Sequence, residues 1–309
     1  MNDKTQILEE ARREAKEELQ TLQSRINRYS FFAIGTGLGI GFFIFHFWFK
    51  MGFIWSMLAP FVGLVMPFVL YFGFRSRLAI ILAPYVIAVE SLEKEPQTAT
   101  DYANRASAFN DHEFYDAAVD DYRTALALEP NNDYVQYSLA EVLWLGLHQE
   151  DEALAIVEKL SKTEGEFQAE AFALQGKILA EKDSATALNC FDKAIEIEPH
   201  DYEHHLLRLR VYIDSEQFDR AVEAIKETNK LLKRHNGMHY YSELCELRGL
   251  LAMKQSRFAD AVKELTVAIR HCPLAVEHYR LRSDAYEALG YTDKAEADRR
   301  KVQELGSET

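Results

Sequence analysis

The chain has 309 residues, with 35 Lys plus Arg against 49 Asp plus Glu. A field of that sign repels phosphate backbones and draws basic partners, which argues against nucleic acid as a ligand. Cys190, Cys245 and Cys272 have neither CxxC spacing nor a His in register for a metal, so they read as small core residues of a reduced compartment. No nucleophile motif, phosphate-cradling loop or HExxH is present, so neither an enzyme nor a cofactor is expected.

Residues 1–30 read as an amphipathic helix. From Asp3 to Tyr29 there is no Gly or Pro, and Ala15, Leu19, Leu22, Ile26 and Tyr29 form a narrow apolar seam. Such a helix can dimerise, lie against the repeats that follow or rest on lipid headgroups. Over residues 31–74 only His46 and Lys50 ionise, and two apolar runs, Phe31 to Phe49 and Phe53 to Gly73, flank a turn at Lys50, Met51 and Gly52. Each run has the length of about 20 residues that crosses a bilayer, so a transmembrane hairpin is expected. Arg25, Arg28, Arg75 and Arg77 outweigh Lys50 at the span ends and put both termini in the cytoplasm. The expected localisation is therefore a bacterial inner membrane, with lipid as one partner. Gly35 with Gly39 and Gly37 with Gly41 form small-xxx-small pairs, which serve either homo-oligomer formation or packing within the hairpin. Residues 75–98 read as a juxtamembrane helix, Leu78 to Leu92, and a linker.

From residue 99 to the end the sequence repeats with a period near 34. The first copy, from Ala99, has Tyr102, Ala106, Phe109, Ala118, Tyr122, Ala125 and Pro130. Degenerate copies start at Asp133, with one residue inserted, and near Ala169, with one deleted. Others start at Tyr202, Ser242 and Val276, the fifth standing six residues later than strict spacing. Small residues such as Gly176 and Gly249 recur where two helices would touch. In this pattern the chain resembles the tetratricopeptide repeat (TPR) family. The resemblance implies an all-α solenoid of about six helix pairs over 99–309, whose last helix, with Arg299, Arg300 and Lys301, is a solvated cap.

It also implies that the first helix of each pair lines a groove for a protein or peptide. The groove positions include Tyr134, Tyr137, Glu141 and Trp144, then Lys177 and Arg210. Aromatic residues there are the usual anchors of an interface. Residues 99–170 carry 4 basic and 16 acidic side chains, which favours a basic or amphipathic partner segment. TPR domains that clamp chaperone tails use Lys and Asn where this chain has Ala103 and Ser107, so that ligand is not expected. His200, His204 and His205 follow the Pro199 turn at a helix start and read as surface polar residues; His200, His204 and Glu203 have a chelating spacing in principle, but no metal site is expected. The expected function is a membrane-anchored interaction scaffold. The alternative is an oligomeric membrane assembly, or a transporter accessory, in which the Gly-rich hairpin is the active element.

Overall fold

The computed structural model describes residues 5–22, 24, 86–234 and 240–306, and among these all regular structure is helical. Helices α1 (5–22), α2 (86–93), α3 (Ala99–Asp111), α4 (Tyr115–Leu128) and α5 (Asp133–Leu145) belong to a first compact unit ending at His148. The second unit, from Gln149, holds α6 (Glu150–Leu160), α7 (Gln168–Leu179), α8 (Ser184–Ile197), α9 (Tyr202–Asp214) and α10 (Phe218–Arg234). It continues with α11 (Tyr241–Lys254), α12 (Phe258–His271), α13 (Val276–Ala288) and α14 (Thr292–Gly306). From α3 onward the helices fall two to each copy of the repeat, in chain order. The extra residues of the fourth copy fall in α10, which runs to Arg234, and in the segment after it.

Local chemistry starts and stops these helices. Thr98 and Asp101 form a reciprocal capping box on α3, at 3.1 and 3.0 Å, and Asn132 caps α5 through the Val135 amide at 3.2 Å. At the turn inside most pairs one residue is left-handed: Glu113 (φ 63°), His148 (φ 56°), Glu216 (φ 57°), Ser256 (φ 59°) and Gly290 (φ 78°). The following amide then reaches back past the last helical turn, as from Gln217 to the Tyr212 carbonyl and from Arg257 to the Ala252 carbonyl, both at 2.8 Å. This is the Schellman closure of a helix C-terminus. The third pair, one residue shorter, dispenses with it, and Asp183 caps α8 directly through the Thr186 amide at 3.1 Å.

Close packing within a pair depends on small residues. A Cβ on Gly176 would lie 2.8 Å from the ring of Phe191, and one on Gly249 would lie 2.7 Å from Leu265. The helices can therefore bury a continuous apolar seam, such as Ala173, Ala187, Phe191 and Ala194, which Val211 of the next pair completes.

A second device repeats with the period. Arg105 forks onto Asp121 at 2.6 and 2.9 Å, Arg282 onto Asp298 at 2.8 and 2.7 Å, and Arg248 meets Glu264 at 2.7 Å. Each joins the two helices of one pair across a span of 16 residues. Arg105 also lies 5.7 and 5.8 Å from the ring centres of Tyr102 and Phe109, and Arg282 lies 5.7 Å from those of Tyr279 and Tyr286. The guanidinium plane thus packs on aromatic neighbours while its fork binds the acid.

Successive pairs are tied by another rule. A polar tip near the start of a first helix donates to the carbonyl of the preceding Pro. Gln136 does so to Pro130 at 2.8 Å, His205 to Pro199 at 3.1 Å and Tyr279 to Pro273 at 3.0 Å.

The amino-terminal helix α1 packs back on α2. Ala11, Ala15 and Leu92 are buried together, Arg12 donates to the Leu92 carbonyl at 2.7 Å, and Lys16 pairs with Glu93 at 2.7 Å. Arg12 and Lys16 thus join α1 to the end of α2.

The membrane reading needs correction. The expected hairpin over 31–74, with Gly35, Gly37, Gly39 and Gly41, lies outside the described residues. Among the described residues no helix is long and apolar enough to cross a membrane. The physical reason is visible in α1, where eight charged side chains lie between Glu9 and Glu18, and in α10, which has charges along its whole length. The expectation of an integral inner-membrane protein with cytoplasmic termini is withdrawn on that finding.

Candidate functional site

Helix α5 of the first unit turns Val135, Leu139, Val142 and Leu143 into the core, and Gln136, Ser138 and Ala140 are buried with them. Tyr134, Tyr137, Glu141 and Trp144 follow one another at helical spacing and share one face. Tyr134 is 46% exposed, and Tyr137, Glu141 and Trp144 are half-buried. Leu145, at the end of the stripe, is exposed. The neighbouring helix α3 touches α5 and presents small groups, a buried Ala103 and a half-buried Ser107.

Between these helices stands Tyr122 of α4, hydrogen-bonded to Ser138 and Ser107. Burial, and then the nearby Tyr134, push its phenol far above the ordinary range, against the pull of those two bonds. The group stays neutral and fixes the spacing of α3, α4 and α5. The α5 face is therefore a rigid apolar stripe with one carboxylate, set beside a floor of small side chains.

Lys177 and Arg210 lie in the second unit and are already engaged. Lys177 Nζ donates to Glu203 Oε1 at 2.7 Å, tying α7 to α9. Arg210 Nη2 donates to Glu246 Oε1 at 2.9 Å, and His278 Nε2 stands 3.2 Å from Glu246 Oε2, tying α9, α11 and α13. Glu246 is 8% exposed. Burial works against its charge, but the hydrogen bonds and charges of His278 and Arg210 outweigh it and hold the carboxyl below its ordinary range. Glu243 is pushed up instead, by burial and by the charges of Glu246 and Glu203. This face is a chain of internal ion pairs rather than a row of cations offered to a ligand.

The histidines near Pro199 also differ from expectation. His200 is exposed, but His204 and His205 are buried, because α9 starts at Tyr202 and turns both rings inward. The sequence signal was available: His205 falls where the first and sixth copies have Tyr102 and Tyr279. Among the cysteines, Cys190 and Cys245 are buried and Cys272 is half-buried. Burial pushes the Cys245 thiol up to about 11 and raises that of Cys190.

Comparison with known proteins bears on the fold. Residues 247–306 match the family model described as tetratricopeptide repeat. A crystal structure of a tetratricopeptide repeat protein from Parabacteroides merdae ATCC 43184 is similar over 68% of this chain and 80% of that one, with a TM-score of 0.53 and 17% identity. A thermophilic TPR protein from Thermus thermophilus is similar over 62% of this chain and 99% of its own, with a TM-score of 0.50 and 19% identity. No curated protein matches the sequence.

Proposed function

We propose that this tetratricopeptide-repeat chain is a non-catalytic scaffold that holds a segment of a partner protein on the α5 face of its first unit. The observation that carries the reading is the stripe of Tyr134, Tyr137 and Trp144 on one helix, beside the small residues of α3. Large aromatic groups in a part-exposed row supply much apolar area at low entropic cost, which is how interfaces anchor an extended or helical peptide. The acid excess over 99–170 supports a basic or amphipathic segment as the ligand. Lys177 and Arg210 drop out as anchors in this reading, because using them would break their pairs with Glu203 and Glu246.

The test is affinity capture from a cell extract with the wild type and with Tyr137→Ala and Trp144→Ala combined. The reading expects a protein held by the wild type and lost by the variant. Truncating one such aromatic costs about 2 kcal/mol or more at an interface hot spot, roughly 30-fold in affinity. That loss should persist at about 1 M salt, where screening lengths shrink to roughly 3 Å and charge steering fades. Equal capture by both proteins would remove the α5 face from consideration.

A further inference from the structure

The corner between α8 and α9 brings together groups that the binding reading does not use. Glu198 ends α8, Asp201 begins α9, and His204 lies in the first turn of α9. One ligand atom from each lies within 4.8 Å of the other two. The His204 ring is 4% exposed, yet neither Nδ1 nor Nε2 makes a hydrogen bond. Glu198 Oε2 stands 3.5 Å from Nε2, too far for one. Asp201 Oδ1 is committed to capping α9, accepting from the amides of Glu203 at 2.7 Å and His204 at 3.4 Å, which leaves its second oxygen for another task.

Glu170 of α7 completes the group. Its Oε2 is buried without a hydrogen-bond partner. It lies within electrostatic reach of Glu198, His204 and Asp201. Three carboxylates thus lie near one buried imidazole whose two nitrogens make no hydrogen bond. A structural histidine in a packed corner ordinarily hands at least one ring nitrogen to a partner, as His205 does to Pro199.

From this arrangement we infer a divalent transition-metal site, of the kind that takes Zn²⁺, in which His204, Glu198 and Asp201 are ligands and Glu170 supports them. Imidazole with carboxylates is a donor set suited to zinc and its neighbours and poorly suited to Mg²⁺. Zinc holds such ligands at about 2.0–2.2 Å, which places them roughly 3.3 Å apart in a tetrahedron. The three groups therefore close by about 1.5 Å at most on binding, within the reach of side-chain rotation. The bound ion ties the end of α8 to the start of α9 and sets the angle between the third and fourth helix pairs.

The experiment is calorimetric titration of the tag-free full chain with ZnCl₂ after chelator treatment, with MgCl₂ in parallel, followed by thermal melting with and without Zn²⁺. The inference expects one equivalent bound per chain, a higher melting temperature with Zn²⁺ and no comparable effect of Mg²⁺. His200→Ala, which changes an exposed neighbour, leaves this unchanged. Glu198→Gln and Asp201→Asn each weaken binding at least about tenfold, and Asn keeps the helix cap so that folding is not at issue. Glu170→Gln weakens it by roughly 10-fold, as loss of a supporting group does. Absence of saturable Zn²⁺ binding by the wild type, or binding undiminished in both Glu198→Gln and Asp201→Asn, overturns the site.

Discussion

Replacing Gly176 by Ala tests the packing rule on which the helix pairs rest. The added Cβ would stand 2.8 Å from Cε1 and Cζ of Phe191 and 3.1 Å from Cδ1, well inside ordinary contact. Phe191 is 1% exposed and walled by Ala173, Ala187, Ala194 and Val211, so its ring has nowhere to retreat without moving a helix. Overpacking of this kind costs about 1–3 kcal/mol. Alanine in a helix interior recovers about 1 kcal/mol relative to glycine. The net expectation is a loss of up to about 2 kcal/mol, read as a lower urea midpoint at unchanged slope. Phe191→Leu, which costs stability alone by emptying ring space, should relieve the clash, so that the pair couples by about 1 kcal/mol or more. Strict additivity of the two changes, or a Gly176→Ala protein more stable than the wild type, would refute the argument that this contact sets the helix spacing.

Three further outcomes can be checked. Ser256→Gly should stabilise the chain by about 0.5–1 kcal/mol in the same urea assay, because Ser256 is held left-handed at φ 59°, where only glycine escapes the steric penalty. Glu246→Gln should cost about 2 kcal/mol near neutrality by weakening two charge-assisted bonds, and the gap should close in acid. The folded carboxyl lies below its ordinary 4.5, so its stabilisation is present above that pH and disappears as pH falls through the folded value; a gap constant from pH 7 to 3 would contradict this. A thiol reagent on the native protein should label Cys272 first, with Cys190 and Cys245 reacting only on unfolding, since burial keeps both as thiols.

Much of the helical plan is legible in sequence because it rests on short-range pattern. Gly176 and Gly249, spaced against Phe191 and Leu265, mark where two helices must touch, and a period of such marks places the pairs. Other features depend on partners that no single position announces. Glu113, His148, Glu216 and Ser256 adopt a conformation usually reserved for glycine, and their side chains give no sign of it. Lys177 and Arg210 look like groove cations until Glu203 and Glu246 arrive from the next pair. His204 and His205 follow a turn and look solvated, but the start of α9 at Tyr202 rotates them inward. The arginines at 105, 208, 248 and 282 did carry a signal, since each stands at the same place in its copy, and in three copies an acid stands 16 residues on.

The fourth copy breaks that last pattern, with Ala224 where the acid would stand. Arg208 turns back to Asp192 of α8 at 2.8 Å while also meeting Glu227 of α10 at 2.7 Å. In the first, fifth and sixth pairs the arginine's ion pair joins the two helices of its own pair and spans no boundary. Around Arg208 the same chemistry reaches over a boundary, and α8 cannot let go of α9 without surrendering it. In a linear array whose cooperativity is the sum of nearest-neighbour couplings, one such bridge fuses two links into a single opening unit. Amide protons of α8 and α9 should accordingly exchange on one shared clock, in step through salt and denaturant.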